Sequence, residues 1–250
     1  MRDDIYKYVL QLADNSLIMG HRLSEWTGHG PVLEQDVAIT NIALDLVGQS
    51  RYFYQYAALL KDDGSTEDSL AYLRDVNEFK NILLVELPNG DWAKTILKIF
   101  FFSSYQYFFY KELNHSLDKQ LSAIAEKSLK EVTYHLRWSS EWVIRLGDGT
   151  DESHRRIMNA LDELWNYTGE MFVATDYELQ AFNSKIGVDI SLLKDDWNKK
   201  VTSVFVEATL SIPETKWMQS GGKGGIHTEY LGYILTEMQF LQRAYPGCEW

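Results

Sequence analysis

The chain carries a single cysteine, Cys248. One thiol can neither close an internal disulfide nor build a thiolate metal cluster, and such sparse usage fits a reducing cytoplasm. Positive charge is also short. Twenty-four Lys and Arg stand against 36 Asp and Glu, a net charge of −12. That leaves no basic stripe for nucleic acid and no electrostatic attraction to an anionic membrane. Long hydrophobic runs are missing too. The most apolar stretch, residues 96–110, is broken by Lys98, Ser103, Ser104 and Gln106. It reads as a buried helix, too short and too polar to span a bilayer. Asp3 and Asp4 follow Arg2 at the start, which is not the pattern of a secretory signal. No Gly-x-Ser-x-Gly and no Gly-x-Gly-x-x-Gly occurs, so nucleophilic hydrolase and dinucleotide chemistry are unsupported.

What is present is helical periodicity. Apolar residues at 5, 8, 9, 12, 19, 23 and 26, with Ser16 among them, predict a first helix that stops at Thr27-Gly28-His29-Gly30-Pro31. A second helix is expected over about 32–60, carrying Ile39, Ile42, Leu46, Phe53, Tyr56 and Leu60. Ser65 or Thr66 can cap a third, reaching about Leu87 with Val76, Phe79, Leu83 and Leu87 on one side. Pro88-Asn89-Gly90 turns into an aromatic helix that runs to about Leu117, and Asp118 starts the next. Further stripes follow at 157–175 and 190–208, and a last helix is expected over about 226–244. No alternating strand, repeat or linker interrupts the series. The reading is one all-α domain over residues 1–250, with ample apolar residues for a core at 45%.

Residues 127–142 look like a di-iron helix with one ligand displaced. Carboxylate-bridged di-iron bundles take a Glu from each of two helices and Glu-x-x-His from two more, because i and i+3 share a helix face. Here the residue three before His135 is Val132, and Glu131 stands four before it. Following the helix order, the other candidates are Asp45, then Glu78 with Asn81 at the Glu-x-x-His spacing, then Gln106. Asp is shorter than Glu, Asn is a poor iron ligand, Gln is neutral and Val cannot coordinate. Hard iron wants more carboxylate charge than this set supplies. The pattern therefore predicts a ferritin-like helical bundle with extra flanking helices and a decayed metal site. No catalytic residue, metal ligand or cofactor is assigned to this chain. The plainer reading, in which these polar groups simply pair within the core, points the same way.

Gly221-Gly222-Lys223-Gly224-Gly225 precedes His227 and a helix start. It lacks the strand and the Ser/Thr of a P-loop. Its amides could hold an anion, or the loop could dock a partner.

Several segments together resemble the C subunits of bacterial phenylacetyl-CoA epoxidases. They are residues 23–34, with Leu23-Ser-Glu-Trp-Thr-Gly-His-Gly-Pro, residues 41–49, 81–90, Tyr134-His-Leu-Arg137, Arg145-Leu-Gly-Asp-Gly-Thr-Asp151, 221–232 and 237–243. They span nearly the whole chain in order. The resemblance implies a non-catalytic structural subunit of a cytoplasmic, multicomponent monooxygenase of aerobic phenylacetate catabolism. It implies a separate, ferritin-like catalytic A subunit that holds the di-iron centre and packs against this chain as a heterodimer. It further implies other oxygenase subunits and a reductase fed by NADPH. The alternative, a di-iron oxidase in its own right, would need properly spaced Glu-x-x-His pairs on two helices. The helices at 32–62 and 91–117 are the expected partner surface, since large interfaces use contiguous apolar faces.

Overall fold

The computed structural model describes residues 2–215 and 217–248. Among these residues ten α-helices follow in order: α1 Arg2–Ser24, α2 Leu33–Lys61, α3 Glu67–Tyr72, α4 Leu83–Glu86, α5 Trp92–Leu113, α6 Lys119–Gly147, α7 Asp151–Leu164, α8 Asp176–Asn183, α9 Leu193–Glu207 and α10 Glu229–Ala244. Short 3₁₀ turns fall between them, and no strand occurs among the described residues. Two compact units result. The first takes the residues up to Pro88, Thr175–Ala181 and the residues from Gly221 onward. The second takes Asn89–Ala174 and Phe182–Ser220.

The first unit is built on α1 against α2. Arg2 reaches the Leu60 carbonyl, Tyr54 reaches Asp14, and Gly20 lies against Ala43 and Val47, so the two helices run antiparallel. A Cβ on Gly20 would sit 3.1 Å from Val47 Cγ2 and 3.3 Å from the Ala43 carbonyl, so the missing side chain lets the backbones approach. α1 is enclosed on every side from Tyr8 to Gly20. Its polar face is therefore interior, not a solvated face.

The helix expected from Thr66 to Leu87 is not continuous, which corrects the sequence reading. Thr66 does cap α3, exchanging hydrogen bonds with Ser69. α3 then ends at Tyr72, a 3₁₀ turn covers Val76–Glu78, and helix resumes only at Leu83. The reason lies in α1. The backbone N–H of Lys80 donates to Asp14 Oδ2 at 2.8 Å, and that of Ile82 donates to Asn15 Oδ1 at 2.8 Å. Side chains on α1 satisfy donors that a continuing helix would have satisfied itself.

The second unit centres on α5 against α6. Asn114 meets Ser122 near the turn, and Trp92 stacks edge-on against Trp142 at the far ends. α5 is buried continuously from Thr95 to Gln106, as the apolar run predicts, but stops at Leu113 rather than Leu117. Asp118 caps α6 through the N–H groups of Gln120 and Leu121. α7 and α9 cover the pair. Phe100, Phe101, Trp165, Phe172, Trp197 and Phe205 form one aromatic cluster. Trp197 Nε1 donates to the Phe101 carbonyl at 3.0 Å, so the indole is satisfied inside it. α7 ends at Leu164, and the chain continues as 3₁₀ turns over Trp165–Tyr167 and Gly169–Phe172. Thr168 and Met171, which fall within the stripe at 157–175, are thus buried off the helix. No described helix is long and apolar enough to cross a membrane.

Candidate functional site

On α6, Val132 and His135 are both enclosed, while Glu131 is half-buried at the edge of that face. The helix thus places valine, not carboxylate, where an i, i+3 partner of His135 would stand. On α5, Gln106 is buried, with Nε2 3.5 Å from the Tyr110 hydroxyl. On α2, Asp45 is half-buried, and the buried polar residues of that helix are Gln49 and Ser50.

Glu78 and Asn81 are not on a helix, so the spacing argument that paired them fails. Glu78 is exposed and caps its own turn, accepting from the Asp75 N–H at 2.7 Å. Asn81 is fully buried and donates from Nδ2 to Glu86 Oε2 at 2.8 Å and to the Ile82 carbonyl at 3.2 Å. A further Glu-x-x-His spacing, Glu112-Leu-Asn-His115, escaped the sequence reading. α5 ends inside it, and both residues are exposed.

The chemistry of the first unit's interior rests on three carboxylates that sequence reasoning did not single out. Asp14 on α1 accepts from both Arg74 nitrogens, from the Tyr54 hydroxyl at 2.6 Å and from the Lys80 N–H. Burial and the adjacent Asp14 charge push the Tyr54 hydroxyl well above its usual range, so it remains a donor. Glu178 accepts from Lys223 Nζ at 2.9 and 3.1 Å, from Gln11 Nε2 at 3.0 Å, and from the N–H and hydroxyl of Thr175. Glu86 accepts from Asn81, from His227 Nδ1 at 2.8 Å, and from the N–H and hydroxyl of Thr228. Each buried carboxylate thus faces a basic side chain: Arg74, Lys223 or His227.

This arrangement does not suit a di-iron centre. Iron needs carboxylates whose charge is uncompensated and whose lone pairs are open. Here the charge is already balanced and the oxygens already accept two or three hydrogen bonds. Asn81 Oδ1 and Gln11 Oε1 are enclosed without a donor, but neutral amide oxygens do not balance metal charge. Among the described residues, no three His, Cys, Asp or Glu side chains converge as a metal set.

The Gly-rich loop is packed into the same interior. Gly221 has φ 135° and Gly225 φ 87°. A Cβ on Gly222 would lie 2.3 Å from the Asn81 carbonyl, and one on Gly225 2.3 Å from the Asn77 carbonyl. Only glycine permits that approach. Lys223 points inward to Glu178 and is not presented to a solvent anion. Tyr177 donates to its carbonyl at 3.1 Å.

Against known proteins, a family model described as "Phenylacetic acid catabolic protein" matches residues 1–250. The chain is 45% identical over 243 residues to the Escherichia coli (strain K12) protein named as the C subunit of 1,2-phenylacetyl-CoA epoxidase, covering 97% of this chain and 98% of that one.

Proposed function

The chain belongs to the family of phenylacetic acid catabolic proteins, and from that membership we propose that it is the non-catalytic, structural subunit of a phenylacetyl-CoA epoxidase. The all-α, ferritin-like fold of the family is the fold of this chain. The relative's name is that of one subunit of a multisubunit enzyme. In the proposed assembly a separate ferritin-like subunit holds the di-iron centre and a reductase subunit passes it electrons from NADPH, in the cytoplasm.

One observation carries this reading: the buried carboxylates of the first unit are neutralised by Arg74, Lys223 and His227. A ligand-bearing subunit would keep such charge for metal. A supporting subunit uses it to fix segments in place, at no loss of activity.

A docking face supports the same role. α2 is apolar on two sides. Its inner side carries Ile39, Ile42, Leu46 and Phe53. Its outer side exposes Leu33 (75%), Val37 and Leu44 (64%), with Val47, which also touches Gly20 of α1, at its margin. Positions 33, 37, 40, 44, 47 and 51 alternate steps of four and three, the 3.5-residue period of a helix that meets another helix. Gly48 opens beside them, with nothing within 4 Å of its missing Cβ. The fitting occupant is a helix of another subunit. A second copy would bring −12 against −12.

The reading is tested by reconstituting the epoxidase with Glu131→Gln in this chain. The variant keeps the half-buried side chain's size and removes its charge. Turnover equal to wild type is expected. A tenfold or greater loss of turnover in a fully assembled complex would assign this chain a catalytic role and overturn the proposal.

A further inference from the structure

The His227 and Glu86 side chains are both fully enclosed. His227 Nδ1 lies 2.8 Å from Glu86 Oε2, and Nε2 lies 3.0 Å from the Phe79 carbonyl oxygen. Both neighbours are acceptors. A neutral imidazole has one N–H and one lone pair, so either tautomer would turn a lone pair toward an acceptor oxygen. The imidazolium donates to both and leaves no conflict. The pair also ties two distant stretches together. Residues 79–86 lie on one side, and the loop that ends at Thr228 and opens α10 lies on the other.

The surroundings favour the charged ring. Glu86 on α4 is the nearest charge, and Asp14 on α1 adds to it from farther away. Asp14 is itself covered by Arg74. Arg22 on α1 approaches from the same side, but its Nε and Nη2 bind the Glu86 backbone carbonyl at 3.0 and 2.9 Å, and its Nη1 is held by Glu25. Glu229, at the start of α10, is exposed. Burial opposes protonation of His227, but the Glu86 hydrogen bond and charge and the Phe79 carbonyl outweigh it, so the ring titrates above its usual 6.5.

We propose that His227 and Glu86 form a proton-operated latch that locks residues 221–228 onto residues 79–86 when the imidazole is charged and releases them when it is neutral. The sign follows from linkage. A group whose folded-state pKa exceeds its unfolded value contributes stability fully present below the unfolded value, lost as pH rises through the folded one. The latch is therefore closed in mild acid and opens on the alkaline side of 6.5. Lys223 holds the other end of the same loop on Glu178, so opening frees the His227 end first. This inference shares the His227–Glu86 pair with the proposed function, but its failure would leave the Arg74–Asp14 and Lys223–Glu178 pairs of that reading untouched.

The test uses the full chain. The His227 ring is titrated by NMR after imidazole labelling, with His227→Gln to assign the resonance. Hydrogen exchange of residues 221–228 is followed across the same pH range in wild type and His227→Gln, which keeps one donor and loses the charge. We expect a ring titration above 6.5. Exchange of 221–228 in wild type should then exceed the intrinsic base-catalysed rise by about tenfold per unit of pKa elevation, with no such excess in the variant. Titration at or below 6.5, or the same pH profile in both proteins, overturns the proposal. Should the variant fail to fold, exchange of 221–228 in wild type decides: no rise beyond the intrinsic base-catalysed one across the pH range overturns the proposal.

Discussion

Arg74→Met isolates the most tightly enclosed ion pair. The Asp14 side chain is 0% exposed and that of Arg74 8%. The guanidinium meets Asp14 through two nitrogens, spans to the Leu70 and Glu78 carbonyls, and lies 4.0 Å from the Phe79 ring centroid. Methionine replaces much of the aliphatic stem but leaves the Asp14 carboxylate with only Tyr54 and the Lys80 N–H. Removing one partner of a buried pair costs about 3–5 kcal/mol, because a charge is stranded in low dielectric. The second substitution, Asp14→Asn, removes that charge, keeps an acceptor oxygen for the Lys80 N–H and turns an amide N–H toward the Tyr54 hydroxyl, which can accept it. The double variant should recover roughly 2 kcal/mol or more of the single variant's loss, since paired charges replaced together are often near neutral. Urea unfolding followed by circular dichroism, run as a double-mutant cycle, measures both. A loss under about 1 kcal/mol for Arg74→Met would put the pair in the range of a surface salt bridge and refute the reasoning, as would strictly additive losses.

Gly222→Ala drives a methyl to 2.3 Å from the Asn81 carbonyl; with the backbone forced to shift, about 1–3 kcal/mol of stability should be lost in urea unfolding. Leu44→Asp, on the outer face of α2, should leave stability within about 0.5 kcal/mol of wild type. The same variant should weaken binding to the proposed catalytic partner by roughly tenfold or more, read by titration calorimetry, since one buried leucine contributes about 1.5–3 kcal/mol. Trp197→Phe removes the donor to the Phe101 carbonyl and opens space in the aromatic cluster; a loss of about 2 kcal/mol, with altered near-ultraviolet circular dichroism, is expected.

The helices that proved legible are those whose signals are local. α6 has an Asp cap, a long stripe and a glycine stop, and each acts on backbone or side chains within a few residues of itself. α2 ends where Asp62 takes a left-handed φ of 55°, as the Asp-Asp-Gly-Ser stretch leads one to expect. The segment from Thr66 to Leu87 was misread because its helical spacing is real but its backbone donors are taken by Asp14 and Asn15, more than sixty residues away. No window of that segment contains this information.

The candidate site was legible only in part. Val132 in the ligand register of α6 is visible in the sequence, and the structure encloses it beside His135. Asp14, Glu86 and Glu178 were missed because a charged residue in a sequence does not announce burial. Gln11, Asp14 and Asn15 resemble the solvated face of an amphipathic helix, and only the enclosure of α1 on all sides shows otherwise. Glu86 did carry a signal, as the one charged residue between Ile82 and Leu87. Lys223 lay in a loop whose glycines suggested openness. They are there instead because the loop presses against the Asn81 and Asn77 carbonyls.

The central claim is that this chain supports a metal centre it does not contain. Iron content after iron-replete expression, measured on the purified chain alone and on the chain co-expressed with the proposed catalytic partner, tests it most directly. The account predicts no stoichiometric iron in the lone chain and iron in the complex. Stoichiometric iron in the lone chain would contradict it and return Asp45, Glu131 and His135 to the status of ligands.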